Sequence, residues 1–142
     1  MFASERVRPQ PDWRTHLAAY ERAWQQFSHE PTDHHVALLL AGERILTHEL
    51  SKPGKFELGA TVMTLGARDA MLESGHIPPE FLLRHKHGDW GELDAEDKQA
   101  NEVALRHGSR LLSAYRTQME NKLWVITEWD RSATTLLLPE DY

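Results

Sequence analysis

The sequence predicts an α+β fold: a small antiparallel sheet with helices on one face, preceded by an N-terminal helical hairpin. Three observations lead there. Residues 13–46 place apolar side chains at helical spacing, residues 110–138 alternate at the period of strands, and Ser51-Lys52-Pro53-Gly54-Lys55 separates the two parts. The expected division is a helical arm over 1–52 and an α+β domain over 53–142.

Each element has a local reason. Arg8-Pro9-Gln10-Pro11 reads as extended chain, because proline fixes φ and disfavours helix in the residue before it. Asp12 can cap a helix, and Trp13, Leu17, Tyr20, Trp24 and Phe27 follow as one apolar stripe that ends before Pro31. Asp33 is the expected cap of a second helix carrying Val36, Leu39, Leu40 and Leu46, although Val36 to Leu40 also reads as a buried strand. Phe56, Leu58, Ala60, Val62 and Thr64 alternate as a strand over 56–64. A short helix over 67–74 closes at Gly75, and Pro78-Pro79 opens another to about His85. Gly88-Asp89-Trp90-Gly91 is a tight turn, with Trp90 in the core and Asp89 bonding backbone amides. Asp94 caps a helix over 95–107 that Gly108 ends. A three-stranded meander follows over 110–117, 123–128 and 134–138.

Composition narrows the function classes. Five tryptophans in 142 residues are too much aromatic surface to leave in water, so the chain folds around them. There is no cysteine, which removes disulfides, thiolate catalysis and cysteine–zinc sites and suits the cytoplasm. Glu5, Arg6, Arg8, Asp12 and Arg14 interrupt any apolar leader, and Val36 to Ala41 is far too short to span a bilayer. A net charge of −6 argues against direct nucleic-acid binding, which calls for a basic face. No glycine-rich phosphate loop, GxSxG elbow or HExxH pair is present, so no cofactor is expected.

At Gly88-Asp89-Trp90-Gly91-Glu92-Leu93 the chain resembles a known family. Further matching pieces are Leu58-Gly59 with Gly66-Ala67, Glu80-Phe81-Leu82 with Arg84-His85, and Glu96-Asp97 with Asn101. The nearest likeness is Leu123-Trp124-Val125-Ile126-Thr127-Glu128 with Asp130-Arg131-Ser132-Ala133-Thr134-Thr135 and Leu138-Pro139-Glu140-Asp141-Tyr142. Over 56–142 these pieces resemble a family of small uncharacterised proteins carried on bacterial plasmids and integrative elements. Its members are labelled "plasmid-related" or a subunit of a type I restriction enzyme. The resemblance implies a mobile-element cargo protein that interferes with a host defence system, of restriction or CRISPR type. It implies no catalytic residue, and the methyltransferase motifs that a restriction subunit needs are absent.

Four residue groups are candidates for chemistry. His85-Lys86-His87-Gly88-Asp89 fits the HxHxD pattern of metallo-β-lactamase-like hydrolases. That pattern continues with another histidine where this chain has Trp90, so a charged helix end is the better reading and no metal is expected. Glu92, Asp94, Glu96 and Asp97 form an acidic run that caps a helix or imitates DNA phosphates; Lys86, Lys98 and Arg106 interrupt it. His85, His107, Arg131, Thr134 and Tyr142 could build a metal-independent ribonuclease of the toxin type, with a base and a phosphate-steadying arginine. Trp129, flanked by Glu128, Asp130 and Arg131, suits a partner-binding edge, because a solvent-facing tryptophan is a common interface anchor. Strand alternation puts Trp124 and Ile126 on one face and Val125, Thr127 and Trp129 on the other, and the polar Thr127 suggests that its face is the outer one. The reading favoured is a non-enzymatic protein-binding module, with the ribonuclease and then the acidic DNA mimic as alternatives. Its partner would be another protein, such as a nucleic-acid-handling defence complex, and the N-terminal helices offer a surface for oligomerisation.

Overall fold

The computed structural model describes residues 12–142, so the extended start expected at Arg8-Pro9-Gln10-Pro11 lies outside the described residues. Asp12 caps the first helix, its carboxylate accepting from the Thr15 amide at 3.1 Å. Helix α1 runs Trp13–His29 and buries Trp13, Leu17 and Tyr20, while Trp24 stacks on Phe27 at 5.4 Å between ring centres. Helix α2 runs Asp33–Leu50. Its cap is Thr32 rather than Asp33: the Thr32 hydroxyl accepts from the His35 amide at 3.2 Å, and Asp33 becomes the first helical residue. The two helices meet where the Tyr20 ring lies against Gly42. The expected stripe on α2 is only partly sheltered, since Val36 and Leu40 stay exposed and Leu46 is buried.

The chain divides into two compact units, Met1–Leu46 and Thr47–Tyr142. The second unit holds the sheet and three helices. Strand β1 is Ala60–Met63, followed by α3 (Leu65–Ser74), α4 (Pro78–Lys86) and α5 (Ala95–His107). Strands β2 (Leu111–Arg116), β3 (Lys122–Thr127) and β4 (Ala133–Leu137) then form the meander, and a single turn of 3-10 helix covers Pro139–Asp141. The sheet order is β1-β4-β3-β2. Helix α3 lies against β4, α4 against β3 and α5 against β2, so one face of the sheet carries the helices. The core joins Leu58, Ala67, Met71, Phe81, Leu82, Tyr115, Leu123, Val125 and Leu136, with Trp90, Ala104 and Leu111 in an adjoining cluster.

Local signals set the helix ends. Thr64 caps α3, accepting from the Ala67 amide at 3.2 Å, and Asp94 caps α5, accepting from the Asp97 amide at 2.8 Å. Gly75 and Gly108 close these two helices in the left-handed conformation, where a side chain would crowd the backbone.

Three strand features differ from expectation. The strand expected over 56–64 forms only at Ala60–Met63, because Gly59 at φ 65° breaks the extended run. Phe56 and Leu58 pack into the core from the preceding loop, whereas all of β1 is exposed. That strand also runs parallel to β4, so the sheet is mixed rather than wholly antiparallel. Three helices separate β1 from the meander, ample chain for the crossover that a parallel pair needs. The face assignment on β3 is reversed as well. Leu123, Val125 and Thr127 are fully buried beneath the helices, and Trp124 and Ile126 point to the opposite face.

Two glycines with similar positive φ should respond differently to alanine. At Gly91 a Cβ would stand 2.0 Å from the Ala114 carbonyl oxygen; at Gly108 it would meet nothing within 4 Å. Gly108→Ala should cost about 1–2 kcal/mol, the strain of a left-handed alanine. Gly91→Ala should cost about 1–3 kcal/mol more, because strand β2 must also move. Urea unfolding of the two variants measures the difference.

Candidate functional site

The turn between β3 and β4 is held from several sides. The Glu128 amide donates to the Ala133 carbonyl at 3.0 Å, and the Arg131 amide donates to the Glu128 carbonyl at 2.9 Å. Asp130 accepts from the Ser132 amide at 3.0 Å, and hydrogen bonding from the Ser132 side chain and then from this amide lowers its pKa. Arg131 sits at φ 60°, a conformation that strains a residue with a side chain by about 1–2 kcal/mol. Its guanidinium offsets that strain by donating to the carbonyls of Ser109 at 2.6 Å, Glu128 at 3.1 Å and Ala104 at 3.1 Å. The Ala104 carbonyl belongs to the last turn of α5, the negative end of the helix dipole. Within this framework Trp129 is 66% exposed.

Beside the turn, the face away from the helices carries a shallow pocket of about 160 Å³ lined by Arg110, Ile126, Glu128, Thr135, Leu137 and Tyr142. Arg110 donates to the Tyr142 phenol oxygen at 3.0 Å and reaches the Glu128 carboxylate at 3.5 Å. The Tyr142 ring stands edge-on to Trp124, 6.1 Å between centres. Glu128 therefore belongs both to the pocket rim and to the turn that presents Trp129.

Under the same turn lies a buried polar chain. His85 is fully buried; its Nδ1 is 2.5 Å from the Ser113 hydroxyl and its Nε2 is 2.8 Å from the Thr127 hydroxyl. Thr127 is 2.7 Å from Thr134, which donates to the Leu58 carbonyl at 2.7 Å. A carbonyl can only accept, so the protons run one way. Thr134 gives its proton to Leu58, Thr127 gives its own to Thr134, His85 donates from Nε2 to Thr127, and Ser113 donates to Nδ1. The imidazole is neutral: burial, reinforced by the nearby Arg131 charge, pushes its pKa down to about 3. This corrects the expectation of a charged histidine at the end of α4.

The ribonuclease set does not assemble at the surface. His85 and Thr134 meet through Thr127 inside the core, and Arg131 is engaged by backbone carbonyls. His107 is exposed at the end of α5, and Tyr142 is exposed on the opposite face of the sheet with Arg110. No protein-family model, curated protein or solved structure matches the chain. The acidic run is largely local. Glu92 pairs with Arg116 at 3.2 Å and Asp94 caps α5, while Glu96 and Asp97 lie exposed in its first turn. Asp89 behaves as expected, accepting from the Gly91 amide at 3.1 Å and from Arg84 at 2.7 Å, and Trp90 is buried with its indole nitrogen donating to Glu102 at 3.0 Å. Among the described residues, no group of three or more metal-binding side chains comes together, and no helix is long and apolar enough to cross a membrane. Sequence reasoning missed Arg110, whose only sequence signal is its position beside a strand; the pocket it lines with Thr135 exists only once β3 and β4 pair.

The buried imidazole predicts acid sensitivity. Its folded pKa of about 3 lies below the ordinary value of 6.5, so as pH falls the unfolded chain takes up the proton first. The stability is fully present above about pH 6.5 and falls by about 1.4 kcal/mol per pH unit below it, until the folded pKa is reached. Between pH 7.5 and 5.0 this site should remove about 2 kcal/mol, measured by urea unfolding. His85→Gln should be less stable at pH 7.5 and should lose that part of the pH dependence.

Proposed function

We propose that this chain is a non-enzymatic protein-binding module whose contact surface centres on Trp129. The observation that carries the reading is a tryptophan left in water on a turn that the fold holds in one conformation. An anchor already fixed in place loses little freedom on binding, so its buried area converts efficiently into affinity. The strained Arg131 supports the same reading, since strain of this kind persists where function needs a fixed geometry. Arg131 acts there by holding the turn, whereas Glu128 is engaged with Arg110 at the pocket rim and Asp130 is exposed on the turn. Of the acidic run, Glu96 and Asp97 remain as a secondary acidic surface, since Glu92 pairs with Arg116 and Asp94 caps α5. The absence of an assembled surface constellation around His85, His107, Arg131, Thr134 and Tyr142 favours binding over the ribonuclease alternative.

The resemblance over 56–142 supports a mobile-element setting with a nucleic-acid-handling defence complex of restriction or CRISPR type as partner, and the absence of cysteine suits the cytoplasm. Tagged protein incubated with a bacterial lysate, followed by mass spectrometry, tests this. A defence-complex subunit should be recovered with the wild type. Trp129→Ala should weaken that recovery by about 30-fold in affinity, equivalent to about 2 kcal/mol, while its melting temperature barely moves. Trp90→Ala should instead destabilise the fold by about 3–5 kcal/mol. Equal recovery with Trp129→Ala, or unfolding of that variant, would count against the proposal.

A further inference from the structure

The two edges of the sheet are finished differently. At the β2 edge the outward backbone groups are occupied. Asn101 donates to the Leu112 carbonyl at 2.6 Å and accepts from the Leu112 amide at 3.1 Å. Ala114 donates to the Trp90 carbonyl at 3.2 Å and accepts from the Glu92 amide at 2.7 Å. At the β1 edge, Ala60 and Thr64 direct their amides inward, to the carbonyls of Ser132 and Leu136 at 3.0 Å each. Alternation then turns the amides and carbonyls of Thr61 and Met63 outward, and among the described residues nothing bonds to them.

Proteins ordinarily guard such an edge with lysine, proline, a bulge or a covering segment. Among the described residues this edge has none of these. Residues 58–67, from Leu58 to Ala67, contain no charged residue and no proline. Val62 is 51% exposed and Met63 43%; on α3, which follows directly, Leu65 is 70% exposed and Leu72 69%, two turns apart on one side of the helix.

We infer that β1 pairs with β1 of a second copy of this chain, antiparallel about a two-fold axis at Val62. In that register Thr61 of each copy exchanges both backbone bonds with Met63 of the other, and Val62 faces Val62. Every outward group of β1 is satisfied, and the two sheets become one continuous sheet. The charge pattern selects a second copy over a foreign strand. Residues at a two-fold axis meet their own copies, so a charge there would face a like charge, and the net charge of −6 adds to the cost of bringing two copies together at a charged edge. The uncharged run around β1 meets that condition, and it offers no charge by which to choose a different partner. Leu65, which follows the strand after one residue, supplies further exposed apolar surface next to it.

The chain has no cysteine, so one introduced cysteine reports one contact. Opposed Cβ atoms in such a pair lie about 4.5–5.5 Å apart, close enough for a disulfide after small movement. Under mild oxidation Val62→Cys should run as a cross-linked dimer on a non-reducing gel, and Ala95→Cys, exposed at the start of α5, should not. In sedimentation velocity at micromolar concentration the full-length wild type should be a dimer, and Val62→Lys a folded monomer by circular dichroism. If Val62→Lys does not fold, Thr61→Pro, which removes one outward amide, should show the same loss of the dimer. A monomeric wild type, a dimer that survives these substitutions, or failure of Val62→Cys to cross-link each overturns the inference.

Discussion

The chain of hydrogen bonds from Ser113 through His85, Thr127 and Thr134 to the Leu58 carbonyl ties α4 to three strands and to the segment that enters β1. Polar groups without partners in this position would each cost about 1–3 kcal/mol. Every member is satisfied, so the chain constrains the core instead of weakening it. Because Leu58 can only accept, one proton arrangement serves the whole set, and that arrangement requires the neutral imidazole. The relative heights of α4, β2, β3 and β4 follow from these contacts as much as from apolar packing, which tolerates small sliding.

The exposed turn inherits its geometry from that chain. Thr127 ends β3 and Thr134 lies near the start of β4, so their mutual bond clamps the base of the turn that carries Trp129. Arg131 clamps its far side by gathering carbonyls from the end of α5, the loop after it and the turn itself. The same cation lies near His85 and disfavours its protonation, so the buried chain and the turn are electrostatically as well as sterically connected. Trp129 is exposed on a turn whose neighbours on both sides are fixed, and no described residue covers it. The reason offered by strand alternation, that the Thr127 face looks outward, does not apply.

Much of the local structure was legible in the sequence because it depends on near neighbours. Asp12 and Asp94 cap their helices with side chains that reach three residues ahead, and Gly75 and Gly108 end α3 and α5 because the backbone turns left-handed there. Trp90 is buried and Asp89 braces its turn, as the Gly-Asp-Trp-Gly sequence suggests. The first failures arise where one residue changes the phase. Gly59 splits an alternating run into a core-directed loop and an exposed strand, and no periodicity count contains that break. Thr127 misled because its polarity implies solvent only when no buried partner exists, and its partners lie 42 and 7 residues away in sequence.

The sequence by itself determined the class of fold, several helix caps (Asp12, Gly75, Asp94 and Gly108), the order of elements and the burial of Trp90, since each follows from interactions spanning a few residues or from the periods of helix and strand. Tertiary structure alone decided which face of the meander is covered, the parallel pairing of β1, the conversion of His85 from a candidate base into a core residue, and the unequal finishing of the two sheet edges. Those outcomes depend on hydrogen-bond partners and packing surfaces brought together from distant parts of the chain, and a linear pattern does not encode which of several matching surfaces will meet.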